Sequence, residues 1–106
     1  MLFELRQYWC KSGKRNEWVS YMEETIIPFQ VTMGMVVVGS FIDEEDPDHY
    51  VWIRRFDSEA ERERLYKAVY ESETWVTEMM PKVVQMLDRD RSVISSLHAT
   101  PKSVIS

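Results

Sequence analysis

The fold is decided first by residues 2–9, LFELRQYW, where apolar Phe3 and Leu5 alternate with charged Glu4 and Arg6. A repeat of two residues is typical of a β-strand whose two faces meet different surroundings. A second run of this kind, YVWIRRF, covers residues 50–56. We expect these segments to be the first and third strands of one sheet.

Between these two strands the sequence predicts one helix and one further strand. Residues 15–27 carry apolar side chains at the spacing of a single helix face. Pro28 should end this helix, because proline has no backbone N–H and restricts the residue before it. Residues 34–42, GMVVVGSFI, are rich in β-branched side chains and predict the second strand.

After the third strand, Ser58-Glu59-Ala60-Glu61 has the form of a capping box and predicts a helix that reaches about Tyr70. Residues 75–87 keep one helical phase, with Pro81 expected at a kink or at a helix restart. Residues 91–98, RSVISSLH, predict a fourth strand. The last eight residues, 99–106, are expected to form an extended tail.

The resulting order of elements is β, α, β, β, α, an extra helix, and β. Right-handed crossovers and the pairing of sequential strands leave few compact arrangements for this order. We expect a single α+β domain over residues 1–106, with a ferredoxin-like βαββαβ antiparallel sheet and the extra helix before the last strand.

In such a fold the helices cover one face of the sheet and leave the other face open. The alternation predicts that apolar Phe3, Leu5, Val51 and Ile53 lie under the helices. The open face would then carry the alternate residues of the two central strands, which combine aromatic and charged side chains: Glu4, Arg6, Tyr8, Tyr50, Trp52, Arg54 and Phe56.

Two motifs resemble the NIPSNAP family. Phe3-Glu4-Leu5-Arg6 with Tyr8 is similar to the family's first strand, and Phe56-Asp57-Ser58 with Glu61 and Arg62 is similar to its helix entry. The chain departs from the family in the third strand, where Trp52-Ile53-Arg54 replaces a His-x-Trp motif. The resemblance implies a homodimeric α/β barrel, in which two open sheet faces pack together around a cavity in each half. The family's activity is poorly defined.

The predicted site is the aromatic and charged set on the third and first strands. Glu4, Arg6 and Tyr8 are the candidate catalytic residues: Arg6 would stabilise an anionic oxygen, Tyr8 would donate a proton, and an unpaired Glu4 would act as a base. Candidate ligand-binding residues are Tyr50, Trp52 and Arg54, with the two rings flanking a flat ligand. The alternative is that all six residues only hold a dimer together.

Composition bears on partners and on cellular location. The net charge of −5, with both signs mixed, disfavours nucleic acid and anionic membranes as partners. The single Cys10 and the charged N-terminal segment favour a cytoplasmic protein. Two histidines without a ligand spacing, and three glycines without a phosphate-binding loop, predict neither a metal site nor a cofactor.

Three functions remain open at this point. The chain could be a cofactor-independent enzyme that acts on a small aromatic or enolisable metabolite. It could instead bind a small molecule without transforming it, or serve as a structural or interaction dimer. The sequence does not separate these three.

Overall fold

The computed structural model describes residues 1–106 and contains one four-stranded antiparallel sheet. Its strands are β1 (Leu2–Trp9), β2 (Val36–Ile42), β3 (His49–Phe56) and β4 (Val93–Leu97). They lie in the order β2-β3-β1-β4, so β3 and β1 occupy the centre. Every neighbouring pair is antiparallel. The α+β fold of the ferredoxin-like kind is therefore confirmed.

The first helix, α1, has three consecutive segments: Arg15–Tyr21, a π-helical turn at Met22–Ile26, and Ile27–Thr32. The prediction that Pro28 ends this helix was wrong. In the π turn, the Ile27 N–H bonds to the Met22 carbonyl five residues back. Pro28 then falls in the first turn of the last segment, where a missing N–H is tolerated. The helix therefore restarts at the proline.

The second helix, α2 (Glu59–Tyr70), follows its predicted cap. The Ser58 Oγ accepts a hydrogen bond from the Glu61 N–H at 3.1 Å. The reciprocal half of the capping box is absent, because the Glu61 carboxylate pairs with Arg64 at 2.6 Å. The cap fixes where α2 begins and thus which of its side chains reach the sheet.

The third helix, α3, is the extra helix before β4. It consists of a π-helical turn at Trp75–Met79 and an α-helical segment at Met80–Met86. Pro81 lies in the first turn of the second segment, which agrees with the predicted helix restart. A 3₁₀ turn at Arg89–Arg91 leads into β4. None of the helices is both long and apolar enough to cross a bilayer.

The sheet faces are the reverse of those predicted. The register pairs Glu4 with Arg54, Arg6 with Trp52, and Tyr8 with Tyr50. These side chains lie under the helices: Tyr8 and Trp52 belong to a buried cluster with α1 side chains. The correction applies to the whole predicted open-face set: Glu4, Arg6, Tyr8, Tyr50, Trp52, Arg54 and Phe56.

The physical reason for the reversal is volume together with charge pairing. Aromatic rings bury more surface than aliphatic side chains, so the face that carries them gains more from helix cover. Glu4 and Arg54 bond to each other, which makes their burial tolerable. Each of the two sheet faces carries enough apolar residues to form a core. Alternation along the strands therefore did not show which face the helices cover.

The face that the helices leave open is largely aliphatic. Its register brings Phe3 opposite Leu97 and Leu5 opposite Ile53. Phe3 is buried, whereas Phe41 is 52% exposed and Leu97 is 44% exposed. Residues 99–106 are exposed and form neither helix nor strand. The end of this tail contacts the uncovered face, where Arg55 donates a hydrogen bond to the Ser106 carbonyl at 3.1 Å.

Candidate functional site

A carboxylate surrounded by guanidinium groups lies at the centre of the sheet's helix-covered face. Glu4 Oε1 accepts hydrogen bonds from Arg6 Nε and from Arg54 Nη2, each at 2.6 Å. The strand periodicity places Glu4 and Arg6 on the same face, and register places Arg54 directly opposite Glu4. Arg62 on α2 approaches the second carboxylate oxygen at 3.5 Å. Glu4 thus pairs with both strand arginines within one chain.

Two tyrosines of α2 complete this cluster from above. Tyr66 donates its hydroxyl proton to Glu4 Oε2 and accepts a hydrogen bond from Arg6 Nη2 at 2.8 Å. Tyr70 accepts a hydrogen bond from Arg54 Nη1 at 2.8 Å. A spacing of four residues brings both phenols to one side of the helix. The helix thereby connects the two arginines through its tyrosines.

The cluster keeps Glu4 ionised. Burial by itself would raise the pKa of Glu4, but attraction to Arg54 and Arg6 outweighs burial and lowers the pKa from 4.5 to about 2. Hydrogen bonds from Arg54 and Tyr66 act in the same direction. A carboxylate with so low a pKa is a poor base. The geometry therefore favours Glu4 as a charge partner, not as the proton acceptor that was one of its predicted roles.

Arg54 is the most enclosed charge in the protein, with no exposed surface. Its Nη1 also donates to Gln30 Oε1 at 2.8 Å, and its guanidinium carbon lies 4.6 Å from the centre of the Trp52 ring. Only its Nε has no hydrogen-bond partner. With nearly all its donors engaged, Arg54 links the sheet to α1 and α2.

A cavity of about 680 Å³ lies beside this cluster, between the sheet and the helices. Its volume falls within the range of about 300–1,000 Å³ that is usual for small-molecule sites. The exposed lining residues, Arg89, Asp90 and Ile94, place its opening next to β4. Most of the lining is hydrophobic: Trp18, Met22, Ile26, Trp52, Tyr66, Tyr70, Trp75, Met80, Val83, Leu87 and Ile94, together with Tyr8; the polar members further inside are Arg6 and Gln30.

Three of the six predicted site residues line the cavity: Arg6, Tyr8 and Trp52. Glu4 instead borders a smaller recess of about 270 Å³, on the other side of Arg6. Tyr50 and Arg54 line neither space. Tyr50 is buried, and its hydroxyl bonds to Ser40 Oγ at 2.5 Å, so a flat ligand held between the Tyr50 and Trp52 rings does not fit this geometry.

Several lining residues were not identified as functional from the sequence. Tyr66 and Tyr70 were available as a signal, because two phenols four residues apart share one helix face. Trp18 and Trp75 were interpreted only as apolar positions of helices. An amphipathic pattern shows which side chains of a helix face the sheet, but it does not show whether those side chains fill the space between helix and sheet.

His49 and Cys10 lie apart from this cavity. His49 Nδ1 lies 2.9 Å from Asp43 Oδ2 and its Nε2 lies 3.0 Å from Gln7 Oε1. Cys10 is buried, and burial raises the pKa of its thiol to about 11, which disfavours the thiolate. The structure contains no group of three or more His, Cys, Asp or Glu side chains arranged to hold a metal ion.

One protein-family model matches residues 3–101, and its description is NIPSNAP. Among curated proteins, none matches the chain in sequence.

Solved structures of similar fold cover nearly the whole chain. A NIPSNAP family protein of unknown function from Agrobacterium tumefaciens has 22% identity and a TM-score of 0.88, covering 100% of this chain and 94% of that chain. An uncharacterised NIPSNAP domain protein from Burkholderia xenovorans has 19% identity and a TM-score of 0.82, over 97% and 98%. A structure named antibiotic biosynthesis monooxygenase has 18% identity and a TM-score of 0.70, over 95% and 100%. At these identities the likeness concerns the fold alone.

Proposed function

The chain belongs to the NIPSNAP family, whose model matches residues 3–101, and we propose that it binds a small, largely apolar metabolite carrying an anionic or enolisable oxygen. The ligand would occupy the cavity between sheet and helices and enter beside β4. This moves the predicted binding site from the open sheet face to the helix-covered one.

The observation that carries this proposal is the charge balance of the buried cluster. Arg6 and Arg54 contribute two positive charges, and Glu4 contributes one negative charge. Arg62 also approaches Glu4, but it is partly exposed and pairs more closely with Glu59, at 2.8 Å. One positive charge therefore remains uncompensated in this cluster, where Arg54 is buried and the Arg6 side chain is 15% exposed. Unbalanced buried charge is costly, so an anionic ligand oxygen beside it would be stabilised.

Arg6 is the group that brings this charge to the ligand. Its Nε–H donates to Glu4, and its Nη1 and Nη2 each use one N–H for a tyrosine, Tyr8 at 3.1 Å and Tyr66 at 2.8 Å. A guanidinium carries five N–H donors, so Arg6 keeps two that are not engaged. Because Arg6 lines the cavity, these donors support a contact with an oxyanion. Trp52, also in the lining, offers a flat apolar surface to a ring.

Catalysis is the second candidate function, and the contact between Arg6 and Tyr8 favours it. A guanidinium next to a phenol stabilises the phenolate that would form when Tyr8 gives its proton to a ligand. The residues present suit proton transfer to an enolate without a cofactor. The neighbour named as a monooxygenase makes oxygenation the first reaction class to assay, as an analogy of fold.

The first experiment is a thermal-shift screen of aromatic carboxylates, phenols and β-dicarbonyl compounds. We expect at least one compound to raise the melting temperature of the wild-type protein. Arg6→Ala should remove that shift, since it deletes the charge that faces the cavity. Arg64→Ala is the matched control: it removes an equally charged side chain from the exposed surface of α2, where Arg64 pairs only with Glu61.

The outcomes separate the three functions. A shift that survives in Arg6→Ala would contradict the proposed site. Turnover of a bound compound that is lost in Tyr8→Phe, while binding is retained, would establish catalysis. If no compound in these classes binds, the alternative of a structural or interaction dimer gains over both proposals.

A further inference from the structure

Two phenols in the cavity wall have a hydroxyl proton with no acceptor in the protein. Tyr8 accepts a hydrogen bond from Arg6, and Tyr70 accepts from Arg54. Gln30 also donates to Tyr70, at 3.4 Å. In each case the phenol oxygen acts only as an acceptor, so its own proton remains available. Tyr66 differs, because its proton is given to Glu4.

Two indoles in the same wall also have an N–H donor without an acceptor. The Nε1–H groups of Trp18 and Trp52 are buried and have no hydrogen-bond partner. Trp18 is 1% exposed and Trp52 is 2% exposed, so these donors are withdrawn from bulk solvent. Buried donors without acceptors cost free energy and are uncommon in folded proteins. Both side chains line the cavity.

Every side-chain oxygen in the interior of the cavity already accepts a hydrogen bond from another group. The Gln30 carbonyl oxygen accepts from Arg54, and the oxygens of Tyr8, Tyr66 and Tyr70 already accept from guanidinium groups. The two other oxygen-bearing side chains in the lining, Asp90 and Ser92, lie beside the opening, where Asp90 is exposed and Ser92 is half-buried. The inner wall therefore has more free donors than free acceptors.

We propose that the ligand of this cavity presents only hydrogen-bond acceptors to the inner wall, as a ketone, quinone or deprotonated carboxylate does, and that Tyr8 and Tyr70 donate to its oxygen. This inference rests on the proposed function and narrows its ligand class. A ligand whose buried end carries an N–H or O–H would place donor against donor and leave both unpaired. A site built to pair with one kind of polar group discriminates strongly against its opposite.

Three tricyclic carboxylates of nearly equal shape provide the test. Fluorenone-2-carboxylate has a carbonyl oxygen at the central ring, carbazole-2-carboxylate has an N–H there, and fluorene-2-carboxylate has a methylene. Dissociation constants would be measured by isothermal titration calorimetry on the wild-type protein. We expect the ketone to bind roughly 10-fold more tightly than the methylene compound, the effect of about one to two neutral hydrogen bonds. Carbazole should bind most weakly.

Variants show whether the phenols cause this order. Tyr8→Phe and Tyr70→Phe each remove one donor and keep the ring, so each should reduce the preference for the ketone by about 3- to 5-fold. Tyr21→Phe is the matched control, because Tyr21 does not line the cavity and should leave the order unchanged. Near-ultraviolet circular dichroism would verify that each variant keeps its aromatic packing.

The two proposals fail in different ways. If the three compounds bind with equal affinity, and binding is lost in Arg6→Ala, the acceptor-only inference is wrong and the proposed anion site stands. Tighter binding of carbazole than of the ketone would also overturn the inference. If none of the three binds while the protein is folded, both the inference and the anion site that it rests on are contradicted.

Discussion

Glu4 shows how a single residue can belong to the site and to the stability of the fold. Its carboxylate is 1% exposed and contacts two arginines, one of which, Arg54, has no exposed surface. We predict that Glu4→Ala lowers the free energy of unfolding by roughly 3 kcal/mol, because it leaves a buried guanidinium charge without its partner. Urea unfolding followed by circular dichroism would measure this loss.

The control for that variant is Glu59→Ala. Glu59 pairs with Arg62 at 2.8 Å, but its side chain is 59% exposed. Exposed pairs contribute on the order of 0–1 kcal/mol, so the control should change stability little. A Glu4→Ala protein as stable as the control would show that the buried cluster does not depend on its carboxylate.

The lowered pKa of Glu4 also predicts how stability depends on pH. Its pKa is about 2 in the folded protein, against an ordinary value of 4.5, so the unfolded chain binds the proton more readily. The contribution of Glu4 is therefore fully present above about pH 4.5 and is lost as the pH falls from there through 2. Asp43 also has a lowered pKa, chiefly because of its hydrogen bond to His49, and titrates in the same range.

The test compares wild type with Glu4→Gln, in which Asp43 is unchanged and its effect cancels. The stability difference between the two proteins should be largest near pH 6 and should shrink between pH 4.5 and 2.5. Urea unfolding at several pH values would record it. A difference that stays constant over this interval would mean that Glu4 does not titrate with a lowered pKa.

At the scale of secondary structure, most elements follow from local sequence. Alternation located β1, β3 and β4, β-branched composition located β2, and the cap at Ser58 located the start of α2. Local sequence did not show which face of the sheet the helices cover, because Phe3 and Leu5 fit a core as well as Tyr8 does. What settles the face is the total volume buried beneath three helices and the mutual pairing of charges from β1 and β3. Neither quantity is visible in one strand.

The two π-helical turns were also beyond local prediction. Met22–Ile26 and Trp75–Met79 both contribute to the cavity wall, through Met22, Ile26 and Trp75. Each turn is followed within two residues by a proline, Pro28 or Pro81. Sequence rules treat an internal proline as a stop, whereas a π turn before it lets the helix continue. Turns of this kind are frequent at functional sites, which agrees with their position here.

The cap of α2 gives a prediction at this scale. Ser58→Ala removes the acceptor of the Glu61 N–H and should cost about 1 kcal/mol of unfolding free energy. Ser58→Asp retains an acceptor at the same place and should stay near wild type. Urea unfolding would compare the three proteins. Equal stability of the Ala and Asp variants would show that the cap bond contributes nothing.

On the scale of the whole molecule, the sheet divides two kinds of surface. Beneath the helices lie the aromatic and charged groups of the proposed ligand site, and opposite them lies an aliphatic face that no helix covers. Val36 is 42% exposed there, and Val93 is 43% exposed. The family resemblance implied a homodimer formed by open sheet faces, and the aromatic side chains predicted for that face are instead buried under the helices. The aliphatic face now supplies a different reason for the same expectation.

We predict that a second copy of the chain covers this face, because a large contiguous apolar patch is unusual on a monomer and identical faces pair by two-fold symmetry. Light scattering after gel filtration at micromolar concentration should give twice the 12.7 kDa mass of one chain. Val51→Lys places a charge near the centre of the face, where Val51 pairs with Phe41 and Gln7, and should shift the protein toward monomer.

Val76→Lys is the matched control for that variant: Val76 is 55% exposed on α3, on the helix side of the sheet, and its charge should leave the mass unchanged. A wild-type particle of 12.7 kDa would contradict the dimer outright. Equal dissociation by both lysine variants would place the interface elsewhere. Because the proposed cavity opens beside β4 and the aliphatic face lies across the sheet from it, a monomeric Val51→Lys protein should still bind ligand, provided that each chain contains a complete site.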